Sequence, residues 1–545
     1  MIFKRYLFKG KPKIIEKTDF HHEYSIRPDT FAFKVPSSPK ALNPIQAIYR
    51  YATNFPFEGT PDTVYNSYPM TNSQKLSKFN HRPKRVKMTT GDFIEDSLYH
   101  PKYGYFSQQV EIYQSEKPFD YNNIEDIDEF MENWSKSYER YEQDAVPPPQ
   151  PTASLPAPNT SSKFAAMAHL IQQQDRQVME LGYRKSLQLW HTPTELFHPY
   201  YGEALARYIL MNYKLNVYPY DDLIIYEMGG GNGTLMCDIL NYIRKNQPEI
   251  YERTQYKIIE ISSQLANKQM KQALDNKLTS QGLDSSKLEI FNKSIFEWKQ
   301  VVNDPCFFIA LEVFDNFSHD LIRYDNTTGQ PYEGKVLIDQ HGDFYEFFSP
   351  DLSHYSDAYL RLRENGKHSV LKQASTFSGK LSAFKSLVSD DVHPLLHSSA
   401  MLKLKNMVLP YDSNLTPGEF IPTRLLQFFQ ILKYKFPNHL LISSDFHYLP
   451  KKISGCYNGP VVQTVLKNDM IDVSTYMVLQ GYFDIMFATD FDIASEMYKQ
   501  VTGKAPRVES HREFLEQWAD TDITTTKTGE NPMLDFYKNV SFMVS

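Results

Sequence analysis

Hydrophobic and polar positions along this chain fall into a repeating alternation from about residue 190 onward. An apolar run at 223–226 feeds the turn Gly229-Gly230-Gly231-Asn232-Gly233, and 235–244 then carries apolar residues at helical spacing. Further short apolar runs lie at 256–260, 288–291, 306–311 and 439–445, with helical spacing at 204–213, 263–282 and 423–435 between or beside them. Runs of this kind, continuous rather than alternating, predict parallel strands covered on both faces. Strand and helix in turn predict an open, twisted, mostly parallel α/β sheet whose ligands sit at the carboxyl ends of the strands.

The flanks are read differently. Residues 14–75 show no sustained period and are expected to be an irregular extension. Thr90 is expected to cap a helix carrying Phe93, Ile94 and Leu98, which Pro101 ends. Residues 112–144 are strongly acidic and 145–162 rich in proline, so 111–163 is read as an extended linker. Residues 164–183 read as a helix where order resumes. Strands are expected within 321–339 and at 344–348, and a mostly helical insertion over 350–435. The runs at 461–466 and 483–487 are expected to complete the sheet. The resulting division is an extension at 1–84, a helical segment at 85–110, the linker, a main domain at 164–500 and a tail at 501–545.

Composition narrows the class. The chain has 545 residues, 41% hydrophobic and 23% charged, with a formal net charge of −7. That balance suits a folded protein and argues against a general nucleic-acid binder. Cys237, Cys306 and Cys456 lack metal-ligand spacing, and His191 and His198 lack that of a zinc-protease pair, so no metal site is expected. No apolar stretch is long enough for a bilayer. The first 13 residues carry Lys4, Arg5, Lys9, Lys11 and Lys13 among Phe3, Tyr6, Leu7 and Phe8, which suits a mitochondrial presequence as well as a basic terminus.

The chemistry concentrates at strand ends. Glu227 precedes Gly229, Gly231 and Gly233 in a Glu-x-Gly-x-Gly-x-Gly pattern. Glycines let a ligand approach the main chain, and the helix that follows offers free N–H groups and its positive dipole end. Glu260 closes the next strand, where a carboxylate hydrogen-bonds ribose hydroxyls in α/β nucleotide sites. Glu312 and Asp315 follow the strand at 306–311. A dehydrogenase would instead space its glycines Gly-x-Gly-x-x-Gly.

These residues resemble motif I of the class I S-adenosylmethionine methyltransferases, and the chain resembles the mitochondrial MidA-like family within that Rossmann-like fold. The likeness rests on residues 91–107, 192–203 and 227–235, on Glu260-Ile261-Ser262, and on Ala310-Leu311-Glu312-Val313-Phe314-Asp315. The resemblance implies helices on both faces of the sheet and S-adenosyl-L-methionine as cofactor. It implies Glu227, Gly229, Gly231, Gly233 and Glu260 as the cofactor site, with Glu312 and Asp315 fixing a substrate guanidinium. It further implies symmetric dimethylation of an arginine on a complex I subunit in the mitochondrial matrix. Leu311 and Gln188-Leu189-Trp190 depart from the family pattern near the substrate side. The competing expectation is therefore a methyltransferase fold kept as an inactive assembly scaffold.

Overall fold

The structure is a computed structural model that describes residues 30–32, 61–108, 110–114, 117–144, 188–261, 274–325, 328–376, 392–396, 415–466 and 469–545. The basic start, the proline-rich run and the helix expected at 164–183 lie outside them, as do residues 263–273 of the helix expected at 263–282.

The central sheet has seven strands among the described residues: β1 (Leu223–Met228), β2 (Thr254–Glu260), β3 (Leu288–Asn292), β4 (Cys306–Leu311), β5 (His439–Phe446), β6 (Arg507–Ser510) and β7 (Val540–Val544). Their order is β6-β7-β5-β4-β1-β2-β3. Strands β1 to β5 are mutually parallel, and β7 runs antiparallel to both β5 and β6. The order reverses between β1 and β4, and the crevice outside their carboxyl ends is where such sheets take ligands.

Successive residues of the central strands bury into opposite faces. Ile225, Ile309 and Ile442 join one core with the helices Tyr200–Asn216, Thr234–Asn246 and His511–Trp518. Tyr226, Phe308 and Leu441 join another with Thr423–Lys435 and Phe491–Thr502. This two-sided burial is why the strands read as unbroken apolar runs.

A second, seven-stranded sheet follows β4. It gathers Asp320–Tyr324, Pro331–Ile338, Phe344–Ser349 and Gly418–Ile421 with Val86–Thr89 and two shorter strands. The helix Thr90–Tyr99 packs Phe93, Ile94 and Leu98 on it. Its cap is Thr89, one residue before the expected Thr90, and His100 leaves the helical region before Pro101.

Four expectations need correction. Residues 350–435 are mostly helical among the described residues, as expected, with His354–Asn365, Val370–Ser375 and Thr423–Lys435, but they are not a separate insertion: Gly418–Ile421 is a strand of the second sheet, and Thr423–Lys435 buries Phe428, Phe429 and Leu432 against the central sheet. Residues 461–466 and 483–487 do not complete the central sheet. Val461–Leu466 pairs with Asp469–Asp472 and Asp484–Met486 as a separate three-stranded sheet, because the edge they would occupy is filled from the carboxyl terminus. Residues 501–545 are not a tail but supply β6 and β7, with Val540, Phe542, Met543 and Val544 buried. Within the expected linker, Ile127–Asp144 is a helix, since Phe130, Met131 and Trp134 give its acidic sequence one apolar face to bury.

Candidate active site

The glycine turn opens at the end of β1. Gly229, Gly231 and Gly233 have φ of 76°, 46° and 70°, a region that side chains disfavour. The Gly229 N–H donates to the Ile259 carbonyl at 3.0 Å, which ties the turn to β2, and the Gly233 N–H closes it on the Gly230 carbonyl at 2.8 Å. A Cβ on Gly231 would stand 3.1 Å from Ile112 Cδ1, and one on Gly230 would stand 2.8 Å from Ile258 Cγ2. The turn therefore needs bare backbone on two sides. Gly233 caps the helix Thr234–Asn246 with no side-chain acceptor, so the first-turn N–H groups face the crevice uncapped.

Polar groups surround the turn. Glu195 Oε1 accepts the Asn232 amide at 3.1 Å and the Thr234 hydroxyl at 2.8 Å. Lys277 Nζ donates to the Asn232 carbonyl at 3.1 Å and to Thr234 Oγ1 at 2.9 Å. Burial pushes the Glu195 carboxyl up, against the Thr234 hydrogen bond and the nearby Lys277 charge. Glu227 is buried, and its Oε2 accepts the Tyr256 hydroxyl at 2.8 Å. Burial pushes Glu227 up to about 8, with the Glu260 charge adding to the rise. Glu260 is half-buried; its Oε1 accepts the Ile261 N–H at 3.0 Å, and the Gly230 N–H bonds the same carboxylate. A carboxylate offers about four lone-pair positions. Glu260 thus keeps acceptor capacity for two hydroxyls.

A second group of acids lies at the ends of β4 and β5. Glu312 has φ of 53°, left-handed backbone in a residue with a Cβ, and its N–H donates to the Ser444 carbonyl at 2.8 Å. Asp445 holds the turn after it: Asp445 Oδ2 accepts the N–H groups of Val313, Phe314 and Asp315 at 3.1, 2.7 and 3.2 Å. Asp484 reaches the same turn from the three-stranded sheet, its Oδ1 accepting Asn316 Nδ2 at 3.0 Å. Burial and then the Asp445 charge drive Glu312 well up, and Asp315 likewise with Asp484 and Glu312 adding to it. Burial pushes Asp445 and Asp484 up to about 7. Among the described residues none of the four has a Lys, Arg or His in an ion pair, and Asp315 Oδ1 and Asp484 Oδ2 are buried without a donor. Such a cluster, at the switch point and beside a turn of bare backbone, suits a planar cation with several N–H donors.

The structure brings Gly229, Gly231, Gly233, Glu227 and Glu260 together at one end of the crevice, and Glu312 and Asp315 at the neighbouring strand end. Sequence reading missed Glu195, Asp445 and Asp484 as members. Asp445 was visible as the acid ending a buried strand. Asp484 had a signal too: a lone carboxylate in the apolar run Tyr482-Phe483-Asp484-Ile485-Met486-Phe487. His191 and His198 take structural positions. His191 is half-buried beside Tyr113, Trp134 and Tyr138, and His198 Nδ1 hydrogen-bonds Asp238 Oδ2 at 2.8 Å.

Residues 204–509 match the family model of S-adenosyl-L-methionine-dependent methyltransferases. The chain is 25% identical over 344 residues to a Schizosaccharomyces pombe protein named mitochondrial protein arginine methyltransferase NDUFAF7 homolog, covering 62% of this chain and 67% of that protein. A Saccharomyces cerevisiae protein of the same name is 23% identical over 372 residues, covering 64% and 78%. A Burkholderia thailandensis structure bound to S-adenosyl-homocysteine covers 90% of this chain and 95% of its own, at 13% identity and a TM-score of 0.45.

Proposed function

The chain belongs to the S-adenosyl-L-methionine-dependent methyltransferases, and we propose that it methylates arginine side chains of a protein substrate. The observation that carries this reading is the unpaired carboxylate group at the ends of β4 and β5, next to the glycine turn. The names of the two yeast relatives support it. They also support a mitochondrial location, and the matrix is the compartment we assign. The substrate we assign, through the family resemblance, is an arginine of a complex I subunit, carried to the symmetric dimethyl form.

The turn fits the cofactor. Three left-handed glycines leave the backbone open, the helix behind it presents free N–H groups, and Glu260 retains acceptors for ribose hydroxyls. We assign Gly229, Gly231 and Gly233 to the amino-acid part, Glu260 to the ribose, and buried Glu227 to holding this end of the site through Tyr256. The chemistry supplied by bound S-adenosyl-L-methionine is an electrophilic methyl group with its own leaving group. The protein's part is then position and charge. Glu312 and Asp315 fix the guanidinium plane and aim one nitrogen along the line of transfer. Glu312, already raised by burial, accepts the proton that the methylated nitrogen sheds.

Incubation of the purified protein with methyl-labelled cofactor and a mixture of complex I subunit peptides tests this. Label recovered in symmetric dimethylarginine after hydrolysis is the expected result. Cofactor binding without transfer would favour the scaffold, and label on other residues would refute arginine as acceptor.

A further inference from the structure

Asp484 stands apart from the other acids of the crevice by its origin and by its unmet hydrogen bonding. It lies on Asp484–Met486, the edge strand of the three-stranded sheet inserted between β5 and β6, in register with Gln463. Two contacts lock it to the turn after β4. Asn316 Nδ2 donates to Asp484 Oδ1 at 3.0 Å, and three residues along the same strand end the Phe487 N–H donates to the Asp315 carbonyl at 2.7 Å. The Asp484 charge is felt by the Asp315 carboxyl. Asp445, by contrast, has both oxygens engaged, Oδ2 by three backbone N–H groups and Oδ1 by the Phe446 N–H at 2.7 Å. It braces the turn and has little left to offer a ligand. Asp484 is wholly buried and Asp315 is 5% exposed, yet Asp484 Oδ2 and Asp315 Oδ1 each have no donor among the described residues. An unmet buried acceptor is costly, and two on neighbouring carboxylates are costlier. A donor-rich cation arriving between them would satisfy both.

We propose that Asp484 is a substrate-binding residue which, together with Asp315, receives the guanidinium of the incoming arginine, so that the inserted sheet supplies the selectivity for a cationic side chain. This rests on the reading of the crevice as an arginine methylation site. It adds that the preference for positive charge depends on a residue outside the central sheet. Two carboxylates facing one planar fork match the geometry in which arginine outperforms lysine.

The test uses the full chain loaded with S-adenosyl-homocysteine and two small probes followed by ligand-observed NMR: N-acetyl-arginine amide and its neutral isostere N-acetyl-citrulline amide. The wild-type protein should hold the arginine probe more tightly than the citrulline probe by about tenfold or more, as expected for a charge-assisted, bidentate contact. Asp484→Asn keeps an acceptor for Asn316 and removes only the charge. It should lose that preference while its affinity for S-adenosyl-homocysteine is unchanged, and Asp484→Glu should recover part of it. An undiminished preference in Asp484→Asn would overturn the assignment, as would parallel loss of S-adenosyl-homocysteine binding, which would mark a structural role. A wild-type protein that treats the two probes alike would instead overturn the arginine reading itself, before Asp484 is at issue.

Discussion

Glu312 occupies left-handed backbone at φ 53°, a conformation that costs an L-residue about 1–3 kcal/mol. It persists because its N–H is held by the Ser444 carbonyl and the next three N–H groups are held by one Asp445 oxygen. Strain sustained at the end of a switch-point strand points to use of the side chain there. Glu312→Gln should therefore lower methyl transfer by about 100-fold or more while leaving the dissociation constant for S-adenosyl-L-methionine unchanged; kcat measured beside calorimetric binding checks this. A pH effect follows from Asp484, which burial lifts from an ordinary 3.8 to about 7. An acid whose pKa rises on folding adds stability that is full below its unfolded value and lost as pH climbs through the folded one. Its contribution thus fades between about pH 4 and pH 7. Neutralising it should help where the wild type is charged: Asp484→Asn should melt at a higher temperature than wild type at pH 8, the gap closing near pH 4. Melting curves of the cofactor-free protein decide it, and a lower melting point at pH 8 would contradict the buried-charge account. At this scale the sequence was partly legible. Glu260 and Glu312 were visible because strand-end acids stand out against apolar runs. Asp484 was not assigned to the site because its partner Asn316 lies 168 residues away, in the turn after β4.

Among the elements, those whose pattern is local were readable and those defined by a distant partner were not. Strands β1 to β5 announce themselves as apolar runs because both faces are covered. The run Val540–Val544 is just as apolar, but nothing local says that it lies antiparallel beside β5, about a hundred residues earlier in the chain. Removing residues 536–545 should expose the edge of β5 and yield aggregated protein, read by size-exclusion chromatography; a soluble monomer would contradict the topology. The helix Ile127–Asp144 was hidden by its acidic composition, although Phe130, Met131 and Trp134 dock it on the core of the central sheet beside Phe536. Trp134→Ala should lower stability by about 3 kcal/mol, measured by denaturant unfolding, if that docking is real.

Among the described residues a central α/β sheet carries a seven-stranded and a three-stranded sheet at its strand ends, and Val110–Ile112 pairs with Gln188–Trp190 as a small two-stranded sheet. Four strands of the second sheet enter after β4 and the three-stranded sheet enters after β5, both beside the crevice rather than on the opposite rim. Such insertions sit where loops carry function on an open α/β sheet. They turn a general cofactor sheet into one with its own substrate side, and Asp484 is the contact through which the smaller insertion reaches it. No helix of the described residues is long and apolar enough to cross a membrane. The measurement that bears most directly on this account is calorimetric titration of S-adenosyl-L-methionine into the wild-type protein and into Gly231→Arg. A side chain at Gly231 meets left-handed backbone at φ 46° and Ile112 Cδ1 at 3.1 Å from its first carbon. Saturable one-to-one binding by the wild type, absent in a variant that still melts cooperatively, is the predicted result; equal binding by both, or none by the wild type, would contradict it.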